Sequence, residues 1–225
     1  MPAILAIDTT TSACSCALSL DGTITERFEI IPRQHAARLL PMIDALMGDC
    51  GVSFADLDAI AYGRGPGSFT GLRIAAGVAQ GIAFGAALPV VPVSSLASMA
   101  IQAGSDGDLV FATLDAKIDE VYWGFYRVGK DSADLVGEEG LCKPEALPSR
   151  IPGNAKNAIG AGSGLEFLAR MPAIYHDCLA KQVVACHPRA SAIASLAAGH
   201  LSAGLIQAPE DVIPVYLRDK VTHQN

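Results

Sequence analysis

The chain has 225 residues, a formal net charge of −7 and 51% hydrophobic residues, enough to bury roughly 70% of its unfolded surface as one domain or two small ones. No run of lysines and arginines and no interleaving of basic with aromatic residues occurs, which argues against direct nucleic-acid binding by this chain alone. The one apolar stretch near membrane length, Ala75 to Val91, is broken by Gln80, Pro89 and glycines, and MPAILAIDTT has no basic n-region, so neither a membrane span nor a signal peptide is expected and the chain reads as cytosolic.

Ile4 to Asp8 reads as a buried strand ending in an acid. Ala13 to Leu20 and Thr23 to Ile31 follow as two strands joined by Asp21-Gly22, a pair suited to a tight hairpin, with the third strand on the outside of the sheet. From Gln34 to Gly48 the apolar positions Ala36, Leu39, Leu40, Ile43, Leu46 and Met47 keep helical spacing, with Pro41 expected to kink or delay the helix. A strand over Leu57 to Tyr62 leads into the glycine-rich turn GRGPGSFTG. Its glycines point to unusual backbone dihedrals, and Ser68 or Thr70 offers an N-cap for the helix after it. Arg64 and Arg73 flank this turn, which reads as an anion or partner site.

That helix, running from Thr70, carries Gly77, Gly81 and Gly85 at four-residue intervals, each costing about 1 kcal/mol relative to alanine. Beside them Ile74, Val78 and Ile82 form a ridge, so another element is expected to pack closely, either in the domain's own core or across a protein interface. A strand over Val90 to Val93 completes the order β-β-β-α-β-α-β. Beyond the polar linker Gly104 to Asp108 the opening pattern returns: Leu109 to Asp115 ends in an acid, Val121 to Val128 is the next strand, and Ala133 to Cys142 supplies a third. The repeat then degrades into a turn at Ala161 to Gly164, an alanine-rich helix from Arg189 to Ala203 and a closing PVYLRDKV. Two related halves are expected, 1–104 and 105–225, with the last helix packing back on the first half.

Neither the six cysteines, which lack CxxC spacing, nor the histidines His35, His176, His187, His200 and His223, which lack HxxxH, suggest a metal site. Cys14 and Cys16 are expected to share one face of a strand as small, reduced core residues.

Two β-β-β-α-β-α units that each open on a strand ending in aspartate resemble the duplicated actin-like, RNase H-like fold of actin, sugar kinases and Hsp70. ILAIDTT, GRGPGSFTGLR, DAKIDEVYWGFY and PVYLR together resemble the TsaB (YeaZ) family over nearly the whole chain. The resemblance implies a non-catalytic partner of a TsaD-type paralogue, with a TsaE-type ATPase as third member. Together they make threonylcarbamoyladenosine beside the anticodon of tRNAs that read codons beginning with adenine. It further implies that tRNA is met only indirectly and that the isolated chain pairs with itself.

On this resemblance the partner surface falls on His35, Leu39, Leu40, Ile43 and Met47 of the first helix and on Ser68, Phe69, Thr70, Arg73, Ile74, Gly77, Val78 and Gly81 around the second. TsaD carries a metal-binding HxxxH after its glycine loop, and Ser95 and Met99 occupy those positions here. Asp8, Thr9, Thr10 and Asp115 mark a vestigial nucleotide site, because neither Asp8-Thr9-Thr10-Thr11-Ser12 nor Asp115-Ala116-Lys117-Ile118-Asp119 contains the glycine that lets backbone amides approach a phosphate. No metal or cofactor is expected, beyond a weak ATP or ADP contact made together with the partner. The rival expectation is an enzyme of the same fold, a small-molecule kinase or a metallopeptidase, for which the glycine-rich phosphate loops or the ligand set are missing.

Overall fold

The structure is a computed structural model that describes residues 1–154 and 156–218. Asp219, Lys220 and Val221 of the closing motif, and His223, lie outside the described residues.

Eight elements make the first half: β1 (Ile4–Asp8), β2 (Ala13–Leu20), β3 (Thr23–Ile30), α1 (His35–Cys50), β4 (Ala59–Gly65), α2 (Phe69–Ala86), β5 (Val90–Ser94) and α3 (Ser95–Ala103). Their strands form one sheet in the order β3-β2-β1-β4-β5. Asp21 and Gly22 both take positive φ at the hairpin tip, and Leu20 pairs with Thr23, so the Asp-Gly turn sets the β2–β3 register and leaves β3 at the edge. β1 pairs antiparallel with β2 and parallel with β4, and this central strand is buried on both faces.

The second half repeats the plan with β6 (Leu109–Lys117), β7 (Glu120–Val128), β8 (Ala133–Leu135), β9 (Gly140–Cys142), β10 (Ala158–Ala161) and β11 (Leu179–Val183). β6 pairs antiparallel with β7 and parallel with β10, and β10 runs parallel to β11, which is the arrangement of β1 with β2, β4 and β5. α4 (Ala173–Cys178) packs outside this sheet, and α5 (Ala190–Ser202) lies against the first sheet. Ser15 Oγ accepts from the Ala190 amide and Glu26 from the Ser191 amide, so residues of β2 and β3 satisfy the first turn of α5.

Strand alternation separates three cores. Leu5, Ile7, Cys14, Cys16 and Leu18 face α1 and α2; Ile4, Ala6 and Ala17 face the layer of α3 and α5 between the sheets; Phe111, Trp123 and Phe125 face the far side of the second sheet. Burial pushes the Cys14 and Cys16 thiols up to about 12, which keeps them protonated. No helix among the described residues is long and apolar enough to cross a membrane.

Four expectations need correction. The strand placed at Leu57 to Tyr62 begins at Ala59 and runs on to Gly65, so the start of the glycine turn is itself sheet. α3 was not visible in the sequence, because Ser95, Leu96, Ala97, Ser98, Met99 and Ala100 are all buried and leave no polar face for a helical period to show. The third strand of the second half is two short pieces, β8 and β9, each pairing with a different end of β7 and separated by Gly137 at φ 92°. α1 continues through Pro41 to Cys50 and closes on Gly51 in the left-handed region.

Candidate functional site

The glycine turn and the Asp8 loop are packed into each other. A Cβ at Gly63 would collide with the Asp8 carboxylate, one at Gly71 with the Thr9 carbonyl, and one at Gly67 would fall 2.8 Å from the Thr10 Cβ. The Ser68 amide donates to the Thr10 carbonyl at 2.7 Å, and the Thr9 hydroxyl donates to the Gly71 carbonyl at 2.6 Å. Gly67 and Gly71 are therefore required where backbone meets backbone, and Gly63 where it meets the Asp8 carboxylate. Ser68 rather than Thr70 caps α2, accepting from the Gly71 amide.

Asp8 lies fully buried under this packing, accepting from the Thr10 amide and hydroxyl. Burial pushes its carboxyl up to about 7, the Thr10 hydrogen bonds opposing that rise. Ser95 Oγ donates to Thr10 Oγ1 at 3.1 Å, and Met99 sits in the core with no exposure, so both side chains are taken up by the chain's own packing. In the second half Asp115 receives the Lys117 amide and ammonium, while its own amide is held by Ser163 Oγ. Asp8 is closed off by Gly63 and the Thr10 hydrogen bonds, whereas Asp115 is partly exposed beside Lys117. Among the described residues no three His, Cys, Asp or Glu side chains come close enough to hold a metal ion together.

The residues assigned to a partner surface divide sharply. Leu39, Ile43, Met47 and His35 are buried within the chain, His35 with Nε2 at 3.2 Å from the Ala13 carbonyl. Leu40 is 54% exposed on the same helix. On α2 the core side is Leu72, Ala75, Ala76, Ala79 and Ala83, with Ile74 and Val78 half-buried against it. Ser68, Phe69, Thr70, Arg73, Gly77 and Gly81 are exposed, and nothing lies within 4 Å of where a Cβ would sit at Gly77, Gly81 or Gly85. The close packing that this glycine spacing suggests is thus absent among the described residues, which leave α2 with a bare backbone crest.

A C-terminal strap lies along one flank of α2. The Gln207 amide and carbonyl bond to Val90, Gln80 Nε2 donates to the Pro209 carbonyl, the Tyr62 hydroxyl donates to the Ile213 carbonyl, and the Val215 amide donates to the Arg64 carbonyl. Tyr216 then stands beside Phe69 with ring centroids 5.5 Å apart, and Arg218 reaches the second half, donating to the Ala116 carbonyl and to Glu120 at 2.5 Å. A second tie between the halves is Glu139, which accepts from Arg64 at 3.2 Å and from Ser94 and Tyr126. PVYLR is conspicuous as a motif, but nothing in its spacing says where it docks. Tyr216, Arg218 and Glu139 were therefore not legible as contacts.

Two sheets of one topology, with α3 and α5 layered between them, define a duplicated actin-like protein. A family model described as "TsaD: tRNA N6-adenosine threonylcarbamoyltransferase" matches residues 28–224. The chain is 40% identical to the Escherichia coli "tRNA threonylcarbamoyladenosine biosynthesis protein TsaB", over 97% of this chain and 95% of that one. It is 37% identical to the Haemophilus influenzae protein of the same name, over 97% and 94%. A solved structure titled "YeaZ from Pseudomonas aeruginosa" superposes with a TM-score of 0.90 at 42% identity, covering 96% of this chain and all of that one. The chain belongs to the TsaB (YeaZ) family.

Proposed function

We propose that this chain is a non-catalytic activator of a TsaD-type transferase. It docks α1 and α2 against that paralogue so that threonylcarbamoyladenosine is formed beside the anticodon of tRNAs reading codons that begin with adenine. The observation that carries the reading is the α2 crest: glycines that cost helix stability, exposed, with nothing among the described residues covering them. Close helix contact with a partner gives those glycines a use, and a paralogue of the same fold offers a matching helix pair across a pseudo-two-fold axis. The same surface accounts for self-association of the isolated chain. A TsaE-type ATPase joins the pair, and tRNA is held by the partner, in keeping with the acidic balance of this chain.

The test is co-purification with a TsaD-type paralogue, followed by tRNA modification with and without this chain. Val78→Asp and Gly81→Leu are then compared for folding and for capture. A folded variant that neither captures the paralogue nor supports modification is the expected result. Full modification in the absence of this chain would sink the proposal.

A further inference from the structure

The strap builds a charged anchor at the head of the α2 crest. Arg73 places its guanidinium carbon 3.8 Å above the Phe69 ring centroid, and its Nε donates to the Tyr216 hydroxyl at 3.2 Å. Phe69 is 41% and Tyr216 39% exposed, so the stack is open to the outside. Tyr216 is held in place on both sides, by the Val215 amide on the Arg64 carbonyl and by Arg218 on the second half. Arg73 has no carboxylate partner among the described residues, a state it shares with Arg33, Arg127 and Arg150, whereas the other six arginines each have one. Two aromatic rings therefore fix its orientation while its terminal nitrogens remain unpaired, an arrangement that preorganises a fork for a carboxylate.

The crest beyond Arg73 is uncharged: Gly77, Gly81 and Gly85, with Phe84 75% exposed at the far end. From Arg73 to Phe84 the axis covers about 16 Å, room for about three turns of a helix laid along it. On a chain of net charge −7, a lone oriented cation at one end of a neutral helical crest is complementary to an acid.

Resting on the proposed docking of the paralogue, we infer that the Phe69–Arg73–Tyr216 stack is the polar anchor of that interface and receives an aspartate or glutamate from the partner helix lying over Gly77 and Gly81. Tyr216 is a positioning residue: it acts through Arg73.

Binding of the TsaD-type paralogue to the full chain is measured by titration at low and high salt for wild type, Arg73→Ala, Arg73→Glu, Tyr216→Ala and Tyr216→Phe, each checked by thermal unfolding. Arg73→Ala is expected to weaken binding about tenfold to a hundredfold, Arg73→Glu more, and Tyr216→Ala about tenfold. Tyr216→Phe, which keeps the ring, is expected to lose least. The salt dependence seen for wild type shrinks in Arg73→Ala, and melting temperatures stay close to wild type because the stack is exposed. If wild type does not bind the paralogue at all, the proposed function falls and this inference with it. If wild type binds while Arg73→Ala and Tyr216→Ala bind within twofold of it, the docking reading stands and the anchor alone is overturned. Loss of self-association with unchanged paralogue binding overturns it too, since a second copy is then the occupant.

Discussion

In the first half the Asp8 carboxyl is sealed beneath Gly63 and bonded to Thr10, whereas Asp115, at the matching end of β6, stands partly in solvent beside Lys117. Glycines that come after a parallel strand are packed tightly in both halves, though against different parts: Gly67 and Gly71 meet Thr10 and Thr9 of the Asp8 loop, and Gly162 and Gly164 meet Thr113 within strand β6. The element that grows from those glycines differs between the halves. In the first half it is the 18-residue α2; in the second it is a 3₁₀ segment, Ser163–Arg170, too short to offer a long face. A close-packed glycine turn thus follows the parallel strand in both halves, while a long helix extends from only one of them. Sealing Asp8 and freeing α2 are two outcomes of one contact, because the hydrogen bonds of Thr9 and Thr10 that bury the acid also fix the first turn of the helix.

The sharpest way to break this arrangement is Gly71→Ala. The new Cβ meets the Thr9 carbonyl, part of the backbone, and neither loop can yield without losing the Ser68 to Thr10 bond. A loss of about 3 kcal/mol or more is expected by denaturant titration, along with loss of partner capture. A fully stable variant would show that the loops are not tightly coupled.

Asp8→Asn probes the sealed acid through pH. The folded-state value is raised from 3.8 to about 7, so the folded chain holds this proton more tightly than the unfolded chain does. Stability from that difference is present at low pH and declines as pH rises from about 4 to about 7. Cys14, which feels the charge of Asp8, is itself kept protonated by burial. Wild type is expected to lose about 2.6 kcal/mol between pH 5 and pH 8 from this one group, and Asp8→Asn to remove that slope. Equal pH dependence in the two proteins would mean that Asp8 is solvated in the folded chain.

How far the sequence foretold these contacts depends on how local each one is. β1, β2 and the Asp21-Gly22 hairpin were legible because short apolar runs and turn chemistry lie within a few residues of each other. α5 was legible from its alanine-rich run. The Leu39, Ile43 and Met47 stripe of α1 was visible as an apolar face, but a sequence does not say whether such a face meets the chain's own sheet or another protein, and here it meets the sheet. The same ambiguity on α2 is resolved the other way for glycine: the alanines face the core and the glycines face out. Contacts such as Arg73 with Tyr216 and Glu139 with Arg64 join positions far apart in the chain, so only the folded arrangement reveals them.

Gly81→Ala tests the crest from the other direction. Nothing stands near the new methyl, so the isolated chain is expected to gain about 1 kcal/mol of stability from helix propensity. Binding to the paralogue is expected to fall, since the added Cβ holds the partner helix away from the crest. Gain of stability with loss of capture is the signature of an interface glycine. Lost stability would return Gly81 to the core.

The smallest effect is expected at Asp115→Ala. Its carboxylate meets the Lys117 ammonium, which is 79% exposed, and the Lys117 amide, at a turn where Lys117, Ile118 and Asp119 all take positive φ. An ion pair that exposed contributes less than about 1 kcal/mol. The turn also keeps other supports, since Arg218 holds the Ala116 carbonyl and Glu120 while Arg170 holds Asp119. The variant is therefore expected to unfold within a few degrees of wild type. On the proposed function it also leaves the reconstituted tRNA modification unchanged, because a carboxylate already engaged by Lys117 is not waiting for a metal. A drop of a hundredfold or more in modification, with folding and partner capture intact, would give Asp115 a part in nucleotide chemistry and make the two halves unequal in the opposite sense: the second open for a ligand, the first sealed.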